Sequence, residues 1–249
     1  MSQSFNIMGP LDWSTGQPMY RRERGTAPRI VDEFEAGFGW IAHPDEAGQR
    51  ASHVIIGKDG AWILDPVDAV GIVDRIEDLG PVAGVAVCSS WHARDAGMMA
   101  SRFDVPVAVP SWLSRVRSRI EAPVLDYGDT FPDAAFTLHP RRRIPRFEEA
   151  ILYHEPTATL YVPDSLGTTP HHALPDEVIA PPLTYRFAPP TQLGHLSPDR
   201  ILVGHGIGIH EYATQALRSG LESSRRRFPQ ALWYQLRPTI RNGIAAIRG

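Results

Sequence analysis

Apolar and polar positions divide the chain into short apolar runs, punctuated by Gly, Pro and charged clusters, with helical spacing between some of them. Val54-Ile55-Ile56-Gly57 and Ala61-Trp62-Ile63-Leu64 flank Lys58-Asp59-Gly60, which predicts two strands joined by a tight Asp-Gly turn. Asp65-Pro66 ends the second strand. Val70, Val73, Ile76 and Leu79 then follow at helical spacing, and Gly80 closes the predicted helix. Val82 to Val87 is apolar almost throughout, as a strand buried on both faces requires. A polar loop, Cys88 to Asp95, leads into a helix containing Ala96 to Phe103, and Val105 to Val109 is a short strand bounded by prolines.

Further along, Phe136-Thr137-Leu138, Ala150-Ile151-Leu152-Tyr153 and Thr159-Leu160-Tyr161-Val162 predict strands of a second, more antiparallel sheet. Ile201-Leu202-Val203 is a last strand, ending in Gly204-His205-Gly206. Ala213, Leu217 and Leu221 lie four apart on a helix that ends near Arg225-Arg226-Arg227, and Pro229 suits the first turn of another. The first thirty residues carry no period and predict an irregular arm (1–30) laid over one domain (31–249) that includes the C-terminal helices. This order of elements predicts a mixed α/β (α+β) chain of two packed sheets with helices outside.

Composition narrows the function classes. At 249 residues, with 43% hydrophobic and 21% charged residues, the chain can bury a full core. A net charge of −3 gives no global field for nucleic acid or an anionic membrane. All basic residues except Lys58 are arginines, and they are scattered, which fits a GC-rich coding sequence better than a binding face. One cysteine, Cys88, excludes an internal disulfide and a Cys-based zinc site. No apolar leader segment occupies residues 1–20 and no run has the length of a membrane span, so a cytoplasmic protein is expected.

The order of motifs from about Ser52 to His210 resembles the metallo-β-lactamase superfamily. The Asp-Gly hairpin ending in Asp65-Pro66 is similar to that superfamily's early strand pair. Leu160-Tyr161-Val162-Pro163-Asp164-Ser165-Leu166 is similar to the strand that delivers its metal-bridging aspartate. Ile201 to Gly206 is similar to the strand and Gly-His-Gly turn that supplies its last histidine ligand. The resemblance implies a four-layer αββα sandwich and a metal site at one edge. In the loop where the family carries His-x-His-x-Asp-His, this chain reads Ser90-Trp91-His92-Ala93-Arg94-Asp95, so only His92 matches. Arginines 141, 142, 143 and 146 stand where a further histidine belongs, with His139 nearby only in another register.

The retained candidates are therefore His92, Asp95, Asp164 and His205 as metal ligands, with Asp164 and His205 also the candidate catalytic residues. Asp65 is expected to be structural, holding the loop before the site. Arg94 cannot give a lone pair to a metal; it is expected to fill the cavity and pair with Asp164 or Asp95. Arg141, Arg142, Arg143 and Arg146 are candidates for a substrate carboxylate or phosphate, set against the plainer reading of a solvated turn. His171-His172 reads as an exposed loop, and Cys88 as buried and inert.

Two functions follow. In one, a single divalent metal (zinc, iron or manganese) serves hydrolysis of an ester, thioester or lactone of a small anionic molecule. In the other, which the altered motif favours, the fold persists as a binding or scaffold derivative. Neither nucleic acid nor membrane is an expected partner, and self-association through the C-terminal helices is left open.

Overall fold

The computed structural model describes residues 18–142 and 144–236. The first sheet opens with β1 (Arg29–Phe34), β2 (Gly37–Ile41), β3 (Ala51–Ile56) and β4 (Ala61–Leu64) as an antiparallel meander. It continues through β5 (Val82–Ala86), β6 (Val107–Pro110) and β7 (Val124–Tyr127), all parallel to β4. Each parallel step is a crossover carrying a helix: α1 (Ile72–Glu77), α2 (Ala96–Phe103) and the short α3 (Ser114–Arg117). The second sheet runs β11-β10-β9-β8. β8 (Phe136–Arg141), β9 (Glu149–His154) and β10 (Thr159–Val162) are antiparallel, and β11 (Arg200–Val203) pairs parallel to β10. The helix α4 (Ala213–Ser223) follows, then a helical segment at 228–236.

Alternation along the strands builds three apolar layers. Ile63, Val85, Val87, Val107 and Val109 turn one way, onto Ile72, Ile76, Met99 and Val116 of the helices. Their neighbours Trp62, Leu64, Ala86, Cys88 and Ala108 turn the other way, against Phe136, Leu138, Leu152, Tyr161 and Leu202 of the second sheet. Beyond it, Ile151, Leu160, Val162, Ile201 and Val203 meet Leu217 and Leu221 of α4. Helix, sheet, sheet and helix are thus stacked in the αββα order.

The second hairpin strand, the buried strand at 82–86 and the strands at 159–162 and 200–203 stand within a residue of their expected bounds, and the first hairpin strand begins three residues earlier than expected. The strand expected at 105–109 runs Val107–Pro110, starting two residues and ending one residue later, and the first helix is shorter than its spacing suggested. β1, β2 and β7 are strands that periodicity did not reveal. The arm crosses the domain from residue 18: Pro18 and Met19 accept from Ala47 and Gly48, and Gly25 exchanges hydrogen bonds with Asp68 and Val70. Residues 1–17 of the expected arm lie outside the described residues, as does Arg143. Among the described residues, no helix is long and apolar enough to cross a membrane.

Candidate metal centre

Strand direction brings the site together. β4 and β5 are parallel and end side by side, Leu64 opposite Ala86, so Asp65 and the loop from Cys88 leave the first sheet at one edge. β10 and β11 are also parallel and end with Val162 opposite Val203, so Asp164 and His205 leave the second sheet next to each other. Ligands gather outside the carboxyl ends of parallel strands because loops there diverge and leave a crevice. Close approach of the two strand ends requires Gly204, where a Cβ would lie 2.1 Å from the Pro163 carbonyl oxygen. Gly206, at φ +101°, lets the chain turn directly after His205.

One ligand atom each from His92, Asp164 and His205 lies within 4.8 Å of the others. His92 Nε2 stands 3.0 Å and His205 Nε2 3.2 Å from Asp164 Oδ1. The opposite nitrogens are both committed. His92 Nδ1 donates to Asp65 Oδ2 at 2.9 Å, and His205 Nδ1 donates to the Gly48 carbonyl at 2.8 Å. A carboxylate and a carbonyl accept only, so each ring, when neutral, carries its proton on Nδ1 and turns an Nε2 lone pair to the same carboxylate oxygen. Two lone pairs facing an anionic oxygen repel unless a proton or a cation lies between them. The donor set, two imidazoles and one carboxylate, suits a divalent cation such as zinc, iron or manganese.

Asp65 is the hub beneath this arrangement. Fully buried, with φ at +46°, it accepts from the Cys88 N–H at 2.8 Å, from Tyr161 Oη at 2.7 Å and from His92. Asp164 is held by Ser89 Oγ, which donates to Oδ2. Burial opposes the charge on Asp164, but His92 and His205 outweigh it and hold the carboxyl well below its usual range. Burial and Arg94 oppose a charged His92; Asp164 and Asp65 prevail and raise its pKa.

Arg94 lies beside the centre without the partners expected of it. Its Nη1 donates to the carbonyls of Ala51 and Asp65 at 2.7 and 2.8 Å, and Nη2 to the Gly204 carbonyl and His92 Nε2, both at 3.1 Å. It pins the ends of three strands rather than meeting Asp164 or Asp95. Asp95 is likewise elsewhere: Arg94 has φ +36°, the chain then turns into α2, and the Asp95 carboxylate accepts from the Asp68 N–H at 2.7 Å.

The arginine cluster is split. β8 extends through Arg141, which is 3% exposed and donates to Glu149 Oε1 at 3.2 Å and the Ala188 carbonyl at 3.0 Å, so it is core rather than rim. Arg142 is exposed and paired with Asp129, and Arg146 is exposed with its own N–H on Glu148. Glu149, fully buried, accepts the N–H groups of Asp164 and Ser165 at 3.2 and 2.9 Å and so shapes the turn that presents Asp164. Burial and the Asp164 charge push its carboxyl up to about 7 against the pull of Arg141.

His172 is buried and not on an exposed loop. It stacks on His205 with centroids 5.5 Å apart, accepts or donates at Thr169 Oγ1, and is pushed down to about 3 by burial and His205. Cys88 is buried, and burial together with Asp65 raises its thiol, in keeping with an inert side chain. Trp91 forms an exposed rim beside His92, touching Phe147 and lying under the Arg115 guanidinium at 3.9 Å. Ser89, Tyr161 and Glu149 were not assigned a site role from the sequence; the signal available was a polar residue inside, at the start of or just after an otherwise apolar strand.

The fold is that of solved metallo-β-lactamase structures. Similar solved structures are a metallo-β-lactamase from Pontibacter korlensis, 13% identical over 79% of this chain and 99% of that one with a TM-score of 0.56, and one from Hirschia baltica, 10% identical over 79% and 97% with a TM-score of 0.54. The DIM-1 metallo-β-lactamase superposes with a TM-score of 0.51 at 13% identity, over 81% of this chain and all of that one. No protein-family model and no curated protein sequence matches the chain. The likeness is therefore one of fold.

Proposed function

We propose that the chain is a mononuclear metal-dependent hydrolase, in which His92, Asp164 and His205 hold one divalent cation and the substrate is an ester, thioester or lactone of a small anionic molecule. The observation that carries this reading is the convergence of both Nε2 atoms on Asp164 Oδ1, each ring fixed from behind through Nδ1. Three protein ligands with an open position are the arrangement of catalytic rather than structural zinc. A cation bound there would supply a Lewis acid and bring the pKa of a coordinated water towards neutrality. The chain's own residues do the rest: Asp65 and Gly48 fix the imidazoles, Ser89 fixes the carboxylate, and Trp91 with Arg115 offers an apolar face beside a positive charge to the substrate. The Arg94 guanidinium beside His92 would repel a second cation, so lactamase-like turnover through two metals is not part of this proposal.

One observation favours the alternative of a binding derivative. Arg94 Nη2 donates to the same His92 nitrogen that a metal would need. Elemental analysis of protein purified without chelator or added metal separates the two, followed by β-lactam, lactone, thioester and phosphodiester substrates with and without zinc, manganese and iron. One equivalent of metal, with hydrolysis abolished in His205→Ala, is the expected result. Metal-free protein that takes up none of the three ions sinks the hydrolase and leaves the binding derivative.

A further inference from the structure

We propose that Asp32, on the edge strand β1 and outside the candidate centre, is a positioning residue that orients both imidazoles, His205 through the turn after β11 and His92 through His53, Tyr161 and Asp65.

On the first side, Asp32 Oδ1 accepts the Gly208 N–H at 2.8 Å and His210 Nε2 at 3.0 Å. Gly208 and His210 form the returning limb of the turn that begins at His205, and Ile209 closes it by exchanging two hydrogen bonds with Ile201 at 2.9 and 2.8 Å. Among the described residues Asp32 is a carboxylate inserted into this turn from another sheet. On the second side, Asp32 Oδ2 accepts from His53 Nε2 at 3.2 Å. His53 Nδ1 has no hydrogen-bond partner among the described residues, so the bond to Asp32 is the one that holds its ring beyond packing. That ring packs edge-on to Tyr161 with centroids 5.4 Å apart, Tyr161 donates to Asp65 Oδ2, and Asp65 receives His92. A single carboxylate thus stands at the meeting point of the supports for two histidines on different sheets.

The local backbone is built for this. β1 has an irregular register between Val31 and Phe34, and Asp32 sits there at φ +56°, a conformation unfavourable for a residue with a Cβ. The distortion turns its side chain inward, where it is fully buried on an edge strand whose polar residues could face water. Strain together with a buried charge is retained where the surroundings over-determine it, which here are three donors, one from β3 and two from the turn after β11.

The inference rests on His92 and His205 being metal ligands, and its test has one arm that needs no metal. In metal-free protein with ¹⁵N-labelled histidine, the ring signals of His92 and His205 report the Nδ1-protonated tautomer and its protection from exchange. The variant is Asp32→Asn; the control is Asp133→Asn, a buried carboxylate that holds the Lys58–Asp59 turn and Trp62 at the other end of β4. Asp32→Asn is expected to lose the protection at His205, shift His92, and weaken zinc binding by roughly tenfold, the scale of a ligand's supporting partner. Asp133→Asn is expected to lower the melting temperature and move neither ring. Ring signals unchanged in Asp32→Asn, or shifted equally by the control, overturn the proposal. If wild-type protein takes up no zinc, the hydrolase reading fails while the ring signals still decide on Asp32. Should Asp32→Asn not fold, His210→Ala breaks one bond to the turn at a partly exposed site; it is expected to shift His205 alone, and no shift overturns the proposal.

Discussion

His92 Nε2 lies 3.1 Å from Arg94 Nη2 and 3.0 Å from Asp164 Oδ1, so one nitrogen faces a cationic donor and an anionic acceptor at once. Accepting from Arg94 requires neutral His92; donating to Asp164 requires the imidazolium. The two bonds exclude each other, and a metal on that nitrogen would displace both. Replacing the guanidinium by an apolar chain of similar length removes the competitor.

Arg94→Met should therefore bind zinc more tightly than wild type while folding less stably. The stability loss should be about 2–3 kcal/mol, because carbonyls at three strand ends lose a charged donor. Urea unfolding and zinc titration calorimetry measure the two effects. Weaker zinc binding in the folded variant would show that Arg94 supports the site instead of competing for it.

Asp65→Asn should act in the opposite sense on the metal. An amide in place of the carboxylate cannot accept from Cys88, Tyr161 and His92 together, so His92 loses its fixed tautomer. Zinc affinity should fall about 10- to 100-fold. Calorimetry checks this, and unchanged affinity would remove Asp65 as the orienting group.

Arg141 and Arg142 are adjacent but should behave differently. Arg141→Met strands the buried Glu149 and should cost about 3–5 kcal/mol, the range for breaking a buried pair. Arg142→Ala removes an exposed ion pair and should cost no more than about 1 kcal/mol. Equal losses in urea unfolding would contradict the placement of Arg141 in the core.

Asp32 should make stability sensitive to acid. Burial opposes its charge, but hydrogen bonds from His210, His53 and Gly208 and the nearby His53 charge outweigh it and bring the carboxyl down from 3.8 to about 2. A carboxyl depressed by folding contributes fully above its unfolded pKa and loses that contribution as pH falls through the folded one. The gap between wild type and Asp32→Asn should be about 2 kcal/mol at pH 7 and shrink between pH 4 and pH 2. A gap that stays constant over that range would mean that the negative charge is not what stabilises.

Much of this was readable from the chain, for physical reasons that differ by element. The β3–β4 hairpin carried its own turn, and β5 and β11 were short apolar runs whose length and flanking polar residues gave their bounds. β2, Gly37-Phe38-Gly39-Trp40-Ile41, is buried on both faces and interrupted by glycine, so it shows neither alternation nor an unbroken apolar run. Arg141 looked like one member of a solvated run because its burial depends on Glu149, eight residues on and in the neighbouring strand. His172 was hidden for a similar reason: the ring fits only because Gly167 leaves its Cβ position open. Asp95 was misplaced by one backbone angle, the positive φ of Arg94, which no pattern of residue types announces.

The centre is closed by contacts between residues 27, 96 and 41 positions apart in the chain, drawn from both sheets. Contacts so distant in sequence form late, after the loops between them have been closed. The histidine pair therefore does not exist as a pair until the two sheets have docked. Whatever binds there can hold the finished fold together but cannot hasten its assembly, so a bound cation would lengthen the lifetime of the native chain and leave its folding rate as it was.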